Sequence, residues 1–254
     1  MANSLTADRR NKLAQILVSE GSVKIGKLAE MFSVSTETIR KDLIYLENEG
    51  IAKKSHGGAI ASSELLERPL SARALENVDA KMKIAQSAIE LIPDKGVIIL
   101  DSGSTTYHIA KLLTIKKGIT VITNSISIAQ VLSGSDNITY TLGGEMRGSS
   151  MALVGLWTLN ALSLVKADIA FLGTDGFFSR KGPCTASFDE AQVKKAMIHS
   201  SKKSVVVCDG EKFLTEPLIQ FCDWKEIDCL ITDADAPENE LKELCSYTRV
   251  KIVE

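Results

Sequence analysis

Asp101-Ser102-Gly103-Ser104-Thr105-Thr106 is the stretch of this sequence best suited to hold an anion. It follows the apolar run VIIL and precedes the helical stretch IAKLL, so a strand, a small-residue turn and a helix N-terminus come in succession. Hydroxyl residues and glycine there let N–H groups and hydroxyls converge on one anion, and the helix dipole adds positive potential. The same residues also suit a plain strand-to-helix turn rich in capping types. Other polar residues end the neighbouring apolar runs: Asn124, Gly144 with Arg147 close by, and Asp175 within Gly173–Gly176. Ligands of open parallel sheets gather beyond such strand ends. Glu190 and Lys194, four apart on one helical face, either line that pocket or form an exposed ion pair. Asp209 and Lys212 follow a further strand end, where Lys212 offers a second positive group or belongs to a surface turn.

A second constellation lies near the N-terminus. Arg40 and Lys41 can meet guanine edges or phosphates, and Ser35 and Thr36 can donate to phosphate at a helix start. Lys53, Lys54 and His56 can hold the flanking DNA backbone. A small helical domain with a solvated charged face is the alternative.

These groups need elements to place them. Thr6 is the expected cap of a first helix bearing Leu13, Ile16 and Leu17 and ending at Gly21. A second helix carries Ile25, Leu28, Ala29 and Phe32. Ser35 caps a third, whose buried row is Ile39, Leu43 and Leu46 and which stops at Gly50. That row leaves Thr36, Glu37, Arg40 and Lys41 outside, as a reading face. IAKKSHGGAIA then alternates around Gly57-Gly58, a pair suited to the positive φ angles of a hairpin turn. Residues 61–74, with Pro69, read as a connection, and a helix over 79–91 opens the second domain. Beyond it, β-rich runs at 97–101, 119–124, 138–144, 168–173, 204–209, 228–233 and 249–253 alternate with helical stretches. Runs apolar on both faces and separated by helices predict an α/β fold with a mainly parallel sheet.

The segment SVSTETIRKDLIYLENEGIAKKSHGGA resembles the signature of the DeoR family of bacterial sugar-metabolism regulators, a helix-turn-helix followed by a basic wing. The resemblance implies a DNA-binding segment from Val23 to Asp42, with Ser35, Thr36, Thr38, Arg40 and Lys41 as contacts. Asp42 then fixes the arginine or a backbone group, because a carboxylate facing phosphates is repelled. The resemblance continues through ERPLSAR, DSGSTT, TNS, LGGEMR, FLGTDG, DEAQVKKAMI, CDGEKF and IDCLITD, nearly the whole chain. It implies a sensor domain similar to ribose-5-phosphate isomerase, with a phosphorylated sugar as effector. Its site comprises Asp101, Ser102, Gly103, Ser104, Thr105, Thr106, Asn124, Gly144, Arg147, Asp175, Glu190, Lys194 and Lys212. One departure is Phe213-Leu214, where the family usually has glycine after phenylalanine.

The composition, 44% hydrophobic and 24% charged over 254 residues, is that of an ordinary globular protein. Net charge −2 argues against a chain that coats nucleic acid along its whole surface. Residues 1–60 nevertheless carry nine Lys/Arg against seven Asp/Glu, the sign that local DNA contact requires. There is no apolar leader or spanning run, and the five scattered cysteines fit neither disulfides nor a metal knuckle. His108 and His199 have no ligands at metal spacing. The reading is therefore a winged helix-turn-helix over 1–60, a linker over 61–74 and a sugar-phosphate-sensing α/β domain over 75–254. It is a cytoplasmic repressor of a carbohydrate operon, without metal or cofactor and with no membrane partner, whose partners are operator DNA, the effector and copies of itself. Self-association follows because one small winged helix offers little surface for operator selectivity, which paired half-sites multiply. The rival is a sugar-phosphate isomerase-like enzyme with Asp175 and Glu190 as acid/base candidates; the N-terminal module, useless to an isomerase, decides against it.

Overall fold

The computed structural model describes residues 2–20, 22–48, 51–55, 57–61 and 69–254, which divide into two compact units, Met1–Arg68 and Pro69–Glu254. The first contains α1 (Ala2–Glu20), β1 (Ser22–Lys24), α2 (Ile25–Met31), α3 (Thr36–Asn48), β2 (Ala52–Ser55) and β3 (Gly58–Ala61). The expected apolar rows meet in one core: Leu13 and Leu17 from α1, Leu28 and Ala29 from α2, and Ile39, Leu43 and Leu46 from α3. Ser35 caps α3 as expected, its Oγ accepting the Thr38 N–H at 3.2 Å. Thr6 does not cap α1; nothing in Ala2–Leu5 breaks a helix, and α1 runs through it from Ala2. Gly21, Gly50 and His56 lie outside the described residues.

The strands form an antiparallel sheet in the order β1-β3-β2, which makes the wing. Of the two hairpin glycines only Gly57 takes a positive φ, +78°. Gly58 is needed for another reason: a Cβ there would stand 1.9 Å from the Val23 carbonyl oxygen, so only glycine lets β3 approach β1.

The second unit opens with α4 (Leu70–Arg73), a helix within the stretch expected as connection, and α5 (Val78–Ile89). Then follow β4 (Val97–Leu100), α6 (Ser104–Leu113), β5 (Thr120–Thr123), α7 (Ile126–Leu132), β6 (Ile138–Thr141), β7 (Glu145–Arg147), β8 (Ala152–Val154) and α8 (Leu156–Ser163). The chain continues through β9 (Ala167–Leu172), β10 (Cys184–Thr185), α9 (Phe188–His199), β11 (Ser201–Val207), β12 (Ile219–Gln220), β13 (Cys229–Asp233), α10 (Glu238–Leu244) and β14 (Arg249–Val253). The seven anticipated runs are the seven strands of one sheet, β14-β13-β11-β9-β4-β5-β6, parallel throughout.

Alternate residues of the inner strands β13, β11, β9, β4 and β5 face opposite cores, as the two-residue period requires, whereas the edge strand β6 is mostly exposed. Ile98 and Leu100 pack with Ile169, Phe171, Val205 and Val207 under α5, α6 and α7. Ile99 packs on the other face with Ala170, Leu172 and Val206, under α8, α9 and α10. Leu214, the departure from the family pattern, is exposed and has no positive φ, so the turn at Gly210–Leu214 accepts it without strain. Among the described residues no helix is long and apolar enough to cross a membrane.

Candidate functional site

The order in which strands are added to the large sheet reverses between β4 and β9: β5 and β6 extend one way from this pair, and β11, β13 and β14 the other. Loops leaving adjacent strands at such a point part to opposite faces and open a crevice at their carboxyl ends. Asp101 to Gly103 leave β4 and Gly173 to Asp175 leave β9 at this point.

The turn after β4 is built to leave donors over. Thr106 is consumed internally: its Oγ1 accepts the Gly103 N–H at 2.9 Å and donates to the Asp101 carbonyl at 2.6 Å. The hydroxyls of Ser102, Ser104 and Thr105 have no hydrogen-bond partner among the described residues, although these residues are only 6–8% exposed. The Ser104, Thr105 and Thr106 N–H groups of the first turn of α6 likewise have no carbonyl to bind. Converging hydroxyls and N–H groups at the positive end of a ten-residue helix form a receptor for an anion.

Behind this turn lies a buried ionic network that only the fold assembles. Lys194 reaches from α9 to the Asp101 carboxylate and donates to the Gly173 carbonyl at 3.0 Å. Burial alone would lower its pKa, but the Asp101, Glu190 and Asp175 carboxylates outweigh it and hold the ammonium above its usual value. Asp101 also accepts the Gly173 N–H at 3.0 Å, so Asp101 and Lys194 lock the ends of β4 and β9 together. Glu190 does not form the exposed pair with Lys194. It accepts from Ser150 Oγ at 2.6 Å and Arg147 Nε at 3.3 Å, and at 3.1 Å it shares the single Thr185 hydroxyl proton with Asp175. Asp175 accepts from Thr185 Oγ1 at 2.9 Å and the Ala186 N–H at 3.1 Å, and faces Arg73 Nη1 at 3.5 Å. Burial opposes its ionisation, yet Arg73, Lys194 and these donors keep its pKa below the ordinary carboxylate value.

Asn124 donates to the Leu153 carbonyl at 3.1 Å, while its buried Oδ1 has no donor among the described residues. Gly144 serves packing: at φ +150°, a Cβ would come 2.2 Å from Thr158 Oγ1. Lys212 lies by another cluster, where its charge acts on Lys81. Lys81 donates to the Arg73 and Glu76 carbonyls at 2.6 and 2.7 Å and lies 3.7 Å from Asp209; burial lowers its pKa. His108 Nε2 donates to the Ala74 carbonyl at 3.1 Å, and burial keeps the ring below its usual pKa. Sequence reasoning missed Arg73, Lys81, Ser150 and Thr185. Arg73 stood inside the ERPLSAR motif but was read as connection, whereas Ser150 and the two-residue strand holding Thr185 carry no local signal. Among the described residues no cluster of three His, Cys, Asp or Glu side chains could hold a metal ion.

In the first unit, Thr36, Glu37, Arg40 and Lys41 are exposed on α3, and Thr38 is half-buried. Ser35 and Thr38 bond to each other, with 2.9 Å between hydroxyl oxygens. Arg40 meets Glu37 at 3.3 Å, and Lys54 of the wing meets Glu47 at 3.3 Å. Lys41 and Lys53 have no ion-pair partner among the described residues. Asp42, 1% exposed, does not fix Arg40. It joins Arg9 at 2.7 Å and Arg10 at 2.8 Å, clamping α3 to α1, because its position on α3 faces the core.

The chain matches the DeoR-like helix-turn-helix domain family over residues 9–64 and the DeoR C terminal sensor domain family over 76–234. It is 31% identical to the HTH-type transcriptional regulator GlpR of Haloferax volcanii, over 97% of this chain and 98% of that one. It is 28% identical to the glycerol-3-phosphate regulon repressor of Escherichia coli K12, over 94% and 95%. Among solved structures, ribose 5-phosphate isomerase A from Methanocaldococcus jannaschii overlaps 54% of this chain and 55% of its own, with a TM-score of 0.41 and 21% identity.

Proposed function

The chain belongs to the DeoR family of transcription regulators, and on that premise we propose that it represses a carbohydrate-utilisation operon under the control of a phosphorylated sugar or related metabolite. It is a regulator and not an isomerase-like enzyme; its relatives over nearly full length are regulators and repressors. The observation that carries the effector reading is the turn at Ser102–Thr105, where the Ser102, Ser104 and Thr105 hydroxyls and the Ser104 and Thr105 N–H groups have no partner among the described residues at the reversal point of the sheet. The phosphate binds there. Sugar hydroxyls reach Asn124 Oδ1 and the Asp175 carboxylate, with Arg147 and Glu190 further along the crevice and Lys212 a second positive group from the neighbouring cluster. Asp101, Gly103, Thr106, Gly144 and Lys194 shape it.

On the DNA side, Arg40 and Lys41 read the major groove, Ser35, Thr36 and Thr38 meet phosphate near the start of α3, and Lys53, Lys54 and His56 hold the flanking backbone. The protein works in the cytoplasm as a homo-oligomer joined through its second unit, on an operator of repeated half-sites. Purified protein should retain promoter fragments flanking its gene, and a phosphorylated sugar, but not its unphosphorylated parent, should change that retention. A Ser104→Asp, Thr105→Asp variant places carboxylates where the phosphate sits. It should keep DNA affinity and lose the response; an unaltered response in this variant would remove the phosphate assignment.

A further inference from the structure

The large sheet ends on two unlike strands. β14 carries Arg249 and Lys251, and Lys251 meets Glu90 at 2.8 Å. Charges of this kind keep a second chain from adding to an open edge. β6 reads Ile138-Thr139-Tyr140-Thr141, without a charge or a proline, and its register with β5 runs unbroken by any bulge. It packs on β5 and α7, and among the described residues no strand lies on its other side. The Ile138 and Leu142 N–H groups bond inward, to the Ile119 and Thr123 carbonyls at 3.1 and 2.8 Å. The alternation of a strand therefore turns the N–H and C=O groups of Thr139 and Thr141 outward.

The side chains at this edge are apolar too. Tyr140 lies opposite Ile122, which packs in the core under α8, so Ile138 and Tyr140 stand on that face of the sheet, 59% and 60% exposed. α8 is tied to the chain just beyond β6 by the Thr158 hydroxyl, which donates to the Gly143 carbonyl at 2.6 Å, and its Leu156 and Trp157 are 70% and 75% exposed. Since an aromatic side chain presents roughly 150 to 250 Å², these four offer on the order of 500 Å² of the roughly 800 Å² that each partner gives to a standard interface.

We propose that β6 is the edge by which two copies of this chain join, strand to strand and antiparallel about a two-fold axis, with Leu156 and Trp157 of each copy flanking the seam. The proposal rests on the homo-oligomer reading above and gives it a surface. A two-fold interface uses one patch on both copies, so the patch must complement itself. β6 does so. With Tyr140 opposite its own counterpart, Thr139 of each copy faces Thr141 of the other, and every outward N–H meets an outward carbonyl. β6 brings no like charges together at the axis, whereas β14 would set Arg249 and Lys251 against copies of themselves.

The test uses the full chain, its mass in solution measured by light scattering over a range of concentrations, with circular dichroism as the check on folding. Tyr140→Lys sets a charge on the seam, and Thr141→Pro removes an outward N–H without touching the bonds to β5. Each should halve the mass of the parent, while Ile252→Lys on β14, at a position 50% exposed, should leave it unchanged. Tyr140→Cys gives a readout that does not depend on disruption. Facing residues of a non-hydrogen-bonded antiparallel pair have Cα atoms roughly 4.5 Å apart, within reach of a disulfide. An added oxidant should therefore link Tyr140→Cys into a covalent dimer, beyond any that the parent forms through its exposed Cys245. A parent that is monomeric throughout overturns the homo-oligomer reading, and this proposal with it. An associated parent whose folded Tyr140→Lys and Thr141→Pro variants keep its mass, or whose Tyr140→Cys variant does not cross-link, overturns the β6 edge alone.

Discussion

Replacing Lys194 with methionine leaves the Asp101 carboxylate buried without its counter-charge, and its cost can be worked from the structure. The two side chains are 7% and 2% exposed, so water cannot replace the lost partner. Breaking such a pair on one side costs about 3 to 5 kcal/mol. Asp101 keeps only the Gly173 N–H, a single donor that does not neutralise it. Neutralising both partners should recover most of the loss, so Lys194→Met, Asp101→Asn should be more stable than Lys194→Met alone. Tryptophan fluorescence in urea reports on the right unit, since both tryptophans, Trp157 and Trp224, lie in the second unit and Trp224 is buried. At a slope of roughly 2 kcal/mol per molar urea, the midpoint should drop by about 1.5 to 2.5 M. A midpoint within a few tenths molar of the parent at neutral pH, or a double variant no better than the single, would refute the view that this pair locks β4 to β9.

Gly58→Ala should disrupt the wing, because its Cβ meets the Val23 backbone; circular dichroism and DNA retention should show a damaged first unit while tryptophan fluorescence stays that of the parent. His108, with its folded pKa depressed below 6.5, contributes stability that is intact above pH 6.5 and declines as pH falls toward the folded value. His108→Gln should flatten that part of the stability profile; an unchanged slope in denaturant titrations between neutral pH and the mildly acidic range would contradict it. Lys53→Ala should weaken binding to all DNA sequences and reduce the salt slope by about one unit, whereas Arg40→Ala should cost about 1 to 3 kcal/mol on the operator and relax base preference. Filter retention at several salt concentrations distinguishes the two.

Much of the framework was legible because the physics behind it is periodic. An inner parallel strand buried on both faces is apolar along most of its length, and the seven β-rich runs matched seven strands to within a few residues at their ends, although the edge strands β6 and β14 are largely exposed or half-buried. The α3 row of Ile39, Leu43 and Leu46 was equally plain, since one helix face had to close the small core. The pairings were not legible. Lys194 and Asp101 are 93 residues apart, and their contact depends on β9 lying next to β4, which no local pattern encodes. The strand end and the helix face pointed to each residue separately, not to their commitment to each other. Asp42 is buried against Arg9 and Arg10, which lie on another helix, a pairing that no spacing within α3 announces.

The stretch after the connection has its own logic. Lys81 and His108 grip it by the carbonyls of Arg73, Ala74 and Glu76, groups that every amino acid supplies, while the Leu75 side chain among them is 81% exposed. Its identity can therefore drift with little effect on the grip, but its length cannot. One residue inserted between Arg73 and Lys81 would shift the carbonyls out of register with their donors. Natural variation across this segment should accordingly appear as substitutions and almost never as gaps, a constraint written in spacing rather than in residue type.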